Sequence, residues 1–162
     1  MSAHEPSFHR RSSTPRRSRE VALFGVLLFA VSAWHAVRAA PEDSYEETAN
    51  CIAVMEVNAD ALAKQVKAGD QQREPALRTE LVRAAAIVGR TYLDGMHDER
   101  VAKAHLVAAR ERQKTWDQAR RDSVHGACLK RADAELAASS GLERVLIDRV
   151  ADHRMQRMLS EQ

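Results

Sequence analysis

The chain has 162 residues and carries 25 Lys and Arg against 23 Asp and Glu, a formal net charge of +2. Its first 39 residues hold six of those cations and two of those acids, so the remaining 123 carry 19 against 21, a net charge of −2. The basic balance belongs to the leader, and the near-neutral body argues against a nucleic-acid partner and is of a size for one domain.

Residues 1–20 contain Arg10, Arg11, Arg16, Arg17 and Arg19 against only Glu5 and Glu20, with two prolines and several serines. So little apolar surface cannot offset the entropy of ordering, and this lead is expected to be disordered. Val21 to Trp34 then run for fourteen residues without a charge, short of the roughly 20 apolar residues that span a bilayer. A basic lead before a short apolar run is the pattern of a secretory signal, with residues 21–39 holding its apolar and cleavage regions and Val37-Arg38-Ala39 a loose cleavage pattern. The alternative is an uncleaved anchor extending through His35 to Val37, with the cations left in the cytoplasm. A first helix of a soluble core is the third reading. Arg16-Arg17 hints at a twin-arginine signal, but Ser18-Arg19-Glu20 follows where apolar residues belong. Cys51 lies too far beyond the apolar run for a lipoprotein cysteine. In the first two readings residues 40–162 form a domain outside the cytoplasm, periplasmic or secreted.

That body is rich in Ala, Leu, Arg, Glu and Val, poor in Gly, Pro and aromatics, and lacks alternating strand patterns. It predicts an all-α domain, a small bundle of four or five antiparallel helices joined by short loops. The first helix is expected from Ser44, with Ser44-Tyr45-Glu46-Glu47 as a capping box. Ile52, Met55, Ala59, Leu62 and Val66 give it one apolar face, with Cys51 at the edge, and Gly69 ends it. Pro75 opens the second helix, Leu77, Leu81, Ala84, Val88 and Tyr92 continue the period, and Gly95 stops it. Asp98 is placed to cap the next helix.

From there to Ala138 the periodic residues are Val101, Ala104, Ala108, Trp116, Val124, Cys128, Ala132 and Leu136. They predict one long helix, or two with a kink or break near His125-Gly126. The charged span from Arg110 to Asp122 reads as a solvated face with opposite-charge pairs, or else as a surface for an acidic partner. After Ser139-Ser140-Gly141 the last helix runs from Leu142 to Leu159. Leu142, Leu146 and Val150 form one stripe, with Ile147, Ala151, Met155 and Met158 beside it.

Both cysteines, Cys51 and Cys128, fall in the exported part beside helical apolar stripes. Two thiols in an oxidising compartment end as one disulfide, which here would close a loop of 77 residues and tie the first helix to the later bundle. Two buried free thiols are the alternative. No Cys-x-x-Cys supports redox catalysis, and no nucleophile elbow, phosphate loop or His-Glu-x-x-His is present. His125 and Cys128 have the spacing of two ligands on one helix face, but a structural zinc site needs four. His153, Met155 and Met158 are soft-ligand candidates for copper, although methionines at helical spacing more often fill cores. Asp94, His97 and Asp98 could supply acid–base groups beside a loop, but ordinary loop polarity accounts for them. No cofactor is expected.

Val88-Gly89, Tyr92, Gly95, Ala104 and Ala108, within residues 86–109, resemble one tetratricopeptide-like helical hairpin. The spacing after Gly95 departs from that pattern, and no second copy exists where solenoids need about three. The resemblance implies a close-packed hairpin, with the aromatic in the gap between helices, and protein–protein interaction in place of catalysis. The resulting expectation is a small exported helical protein that binds another protein, not an enzyme. A periplasmic carrier of metal or small ligand is the second reading. A membrane-tethered structural protein, in contact with the membrane only through an uncleaved N-terminal segment, is the third.

Overall fold

The computed structural model describes residues 42–160. The basic lead, the apolar run and the cleavage region lie outside the described residues. Five helices make up the described chain: α1 (Glu42–Lys67), α2 (Glu74–Leu93), α3 (Glu99–Gln113), α4 (Gln118–Ala138) and α5 (Gly141–Ser160), with a 3-10 turn at Gln71–Arg73. No strand occurs among the described residues.

The ends of these helices follow local chemistry. α1 starts at Glu42, two residues before the expected cap, so Ser44-Tyr45-Glu46-Glu47 lies inside the helix. Helix ends shift by one or two residues about any single capping signal. Gly69 and Gly95 stop α1 and α2 with φ of +105° and +99°, a conformation that costs a residue with a Cβ about 1–2 kcal/mol. At each, the glycine's own N–H and the next one close the last turn: Gly69 donates to the Val66 carbonyl and Asp70 to Gln65, then Gly95 to Tyr92 and Met96 to Thr91. Asp98 caps α3, its carboxylate accepting from the Arg100 and Val101 N–H groups at 2.9 and 3.2 Å. Ser140 and Glu143 cap α5 reciprocally, an unanticipated Ser-x-x-Glu box that starts the helix at Gly141, one residue before the expected Leu142. The Ser140 hydroxyl and N–H hold the Glu143 carboxyl below its ordinary value.

The break between Asp98 and Ala138 falls elsewhere than expected. α3 ends at Gln113 and α4 starts at Gln118, while α4 runs without interruption through His125 and Gly126. Two features hold the turn. The Asp117 carboxylate accepts the Arg120 N–H at 2.7 Å, and Trp116 is buried there under the Arg120 guanidinium, 5.0 Å from the ring centre. A buried aromatic and a helix cap outweigh the weak breaking tendency of one helical glycine. A Cβ built on Gly126 meets nothing within 4 Å. Gly126→Ala is therefore expected to raise the unfolding free energy by about 0.5–1 kcal/mol, read as a higher urea midpoint. A lower midpoint would show that the site needs glycine.

α1 is the central helix, packing against each of the others, and α2 packs against α1, α4 and α5. One core cluster joins α1, α2 and α5 through Ala59, Ala63, Val66, Leu77, Leu81, Ala151 and Met158. A second joins α1, α2 and α4 through Cys51, Val54, Met55, Ile87, Cys128 and Ala132. The third is small: Ala49 and Ala53 of α1 meet Ala109 of α3, with Leu106 alongside. Alanines at these crossings allow close approach, as the composition implies.

Three expected stripes are corrected. On α2 the buried side passes through Leu77, Glu80, Leu81, Ile87 and Thr91, while Val88 and Tyr92 are exposed. The reason is that α2 is covered by α4 and α5 as well as α1, which turns its core face away from a single stripe. On α3, Val101, Ala104 and Ala108 are exposed, and Ala109 and Gln113 are buried, because α3 packs mainly on α1. On α5, Ile147, Ala151 and Met158 face the core, while Leu142, Leu146 and Val150 face outward. The hairpin expectation for residues 86–109 is corrected too. α2 and α3 scarcely touch each other, and each packs on α1.

Candidate functional site

Cys51 and Cys128 form a disulfide, S–S 2.00 Å with Cα atoms 5.4 Å apart, buried in the second core cluster. A structural disulfide of this kind belongs to an oxidising environment outside the cytoplasm. No helix among the described residues is long and apolar enough to cross a membrane.

The residues with ligand or acid–base chemistry are dispersed and engaged. Cys128 is committed to the disulfide, so it does not join His125 as a ligand. His125 Nε2 lies 2.7 Å from Glu80 Oε1, a carboxylate buried on α2. Burying that carboxylate alone would be costly, and the histidine supplies its hydrogen bond and ties α4 to α2. Glu80 was missed in sequence because it is charged, although it stands three residues after Leu77 on the buried face. His153 is exposed on α5, whereas Met158 and Met155 pack with the first core cluster. Asp94 pairs with Arg90, Asp98 caps α3, and His97 stands edge-on to Tyr92 with ring centres 4.4 Å apart. Among the described residues no group of three or more His, Cys, Asp or Glu is placed to hold a metal ion.

The charged span is used between helices as well as along one. Arg110 reaches Glu56 of α1 at 2.6 Å, and Arg112 reaches Glu46 and Asn50 of α1 at 3.4 and 3.1 Å. Lys114 and Glu111 form the local pair that the spacing suggests, at 2.7 Å. These contacts, with the alanine crossing, hold α3 on α1.

The feature left by this arrangement is a groove of about 590 Å³ between α2 and α3, floored by α1. α1 lines it with Tyr45, Thr48, Ala49 and Ile52, α2 with Val88, Thr91 and Tyr92, and α3 with Glu99, Ala102, Lys103 and Leu106. Met96 and His97 of the connection close one end. Each helix thus offers residues at three- and four-residue steps, the spacing of a side that packs on another helix. The lining is mostly apolar, with Thr48 and Thr91 inside it and His97, Glu99 and Lys103 among its charged or polar residues. The walls are braced. Tyr45 stacks on His105 at 5.7 Å, bridging α1 and α3. On the other side Thr48 and Thr91 share a hydrogen bond of 3.4 Å, and Arg131 of α4 donates to the Thr48 hydroxyl at 3.1 Å.

No family model, curated protein or solved structure matches the chain at a significant level. What can be read of its function comes from this geometry alone.

Proposed function

We propose that the chain is an exported protein-interaction module, periplasmic in location, which binds an apolar helix of a partner protein in the groove over α1. Export is supported by the basic lead and short apolar run, and by the disulfide. The observation that carries the binding reading is the convergence of three helical stripes on one empty lane. Helix-in-groove recognition uses anchors at i, i+3 or i+4, and i+7, and a fourth helix laid in this lane would meet complementary rows from α1, α2 and α3. It would also cover Val88, half exposed at present.

The test places a photo-crosslinking benzoylphenylalanine at Ala102 of the full-length chain in living cells, with Lys130, exposed on α4, as the control position. A discrete adduct from position 102, recovered in the osmotic-shock fraction and mapping to a partner helix with that anchor spacing, is expected. Val88→Glu should lower its yield roughly tenfold or more, because the carboxylate would be buried against apolar groups. An adduct that survives Val88→Glu, or equal labelling from positions 102 and 130, overturns the groove as the binding site. Retention of the protein in the cytoplasm overturns export.

A further inference from the structure

A second surface is left uncovered on the other side of α2, with Tyr92 at the ridge between it and the groove. Tyr92 and Leu93 of α2 and Leu142, Val145, Leu146 and Val150 of α5 are each 52–72% exposed. Tyr92, Leu93 and Leu146 line a common hollow of about 310 Å³, Leu142 and Val150 lie one turn to either side of Leu146 on the same stripe, and Val145 stands on the flank beside Asp148 and Arg149. α5 is therefore apolar on two opposed sides, one spent on the core through Ile147, Ala151 and Met158 and one facing outward.

We infer that this patch pairs two copies of the chain, α5 against α5 about a two-fold axis. Two observations select a second copy over other occupants. The first is size. Six side chains at this exposure present on the order of 600 Å² of surface, at the top of the range for a monomer and most of the ~800 Å² that each partner buries in a standard interface. The second is charge. In a two-fold contact like meets like, so a patch with a border of one sign repels itself. This border carries both signs, already balanced: Arg90 pairs with Asp94 at 3.1 Å and lies 3.9 Å from Glu135, and Glu143 is held at the α5 cap. Arg149 lies on the outer face beside Asp148 and Asp152, which pair with Arg78 of α2 at 3.0 and 2.7 Å, so this flank carries both signs as well. An anionic membrane would instead select a face of net positive charge.

Sedimentation equilibrium of the protein purified from cells expressing the full chain tests this. A dimer is expected at about 100 µM, with Leu146→Glu weakening it roughly tenfold or more and Leu142→Glu with Leu146→Glu giving a monomer. Both variants should keep the helical circular dichroism and urea midpoint of the parent, since the changed side chains lie outside the core. Val57→Glu, at an exposed apolar position on α1, should leave the dimer intact. A monomer throughout, or a dimer that Val57→Glu weakens as much as Leu146→Glu does, overturns the proposal. So does a monomer that binds phosphatidylglycerol vesicles in a Leu146-dependent way, which would assign the face to a membrane.

Discussion

Replacing Cys51 and Cys128 together by alanine is expected to lower the unfolding free energy by about 4.5 kcal/mol, the loop-closure entropy of a 77-residue cross-link. The bond joins α1 to α4, so the loop it closes contains α2, α3 and the start of α4. In the unfolded chain it removes the many arrangements in which those two points are far apart. In the native chain the two sulfurs also fill space among Val54, Met55, Ile87 and Ala132, so the alanine pair loses packing as well. A loss of this size is comparable to the whole stability of a small domain. Urea unfolding of the parent with and without reductant, beside the double variant, checks it. The reduced parent should unfold at low urea and the double variant at lower urea still, and a midpoint unchanged by reduction would show that the bond contributes little.

Ile87→Ala is expected to cost about 2–5 kcal/mol, while Val88→Ala, one residue on, should stay within about 0.5 kcal/mol. Ile87 is fully buried in the cluster that holds the disulfide, where α1, α2 and α4 meet. Val88 is 51% exposed at the groove wall. The pair separates two registers of the same helix. The period that runs Leu77, Leu81, Ala84, Val88 and Tyr92 makes Val88 the costly site, and the folded arrangement makes it Ile87. Chemical denaturation of the two variants decides between them, and a larger loss at Val88 would mean that α2 is rotated from the orientation described.

What the sequence disclosed follows the range of each interaction. The glycine stops at 69 and 95, the Asp98 cap and the break at Ser139-Ser140-Gly141 rest on contacts within a few residues, and each was legible. The helix class and the Cys51–Cys128 bond were legible too, one from composition and the other from two thiols beside apolar stripes. Register was not. A stripe read from one helix assumes one neighbour, and α2 has three, so its buried side widened to include Glu80 and Ile87. α5 carries two apolar sides, and nothing local says which of them the core takes. The turn at Trp116 was hidden because Asp117 caps a helix from within a run of charges that reads as continuous. The groove was the least legible feature of all. It arises from a contact that α2 and α3 do not make, although the residues of 86–109 resemble a hairpin in which they would.

The packing of α3 mainly on α1 has a mechanical consequence. One wall of the groove, α2, is clamped by three helices and by the sulfur bridge behind it. The other wall is held at an alanine crossing and by arginine pairs on the surface, between a glycine turn at one end and the Lys114–Asp117 turn at the other. Such an element is expected to open with less free energy than the bundle as a whole, which hydrogen exchange would read as amides in α3 exchanging ahead of those in α1, α2 and α4. On this reading the lane is a jaw with one fixed plate and one more lightly held. Its gape can follow the girth of what lies in it while the disulfide-bonded frame stays still.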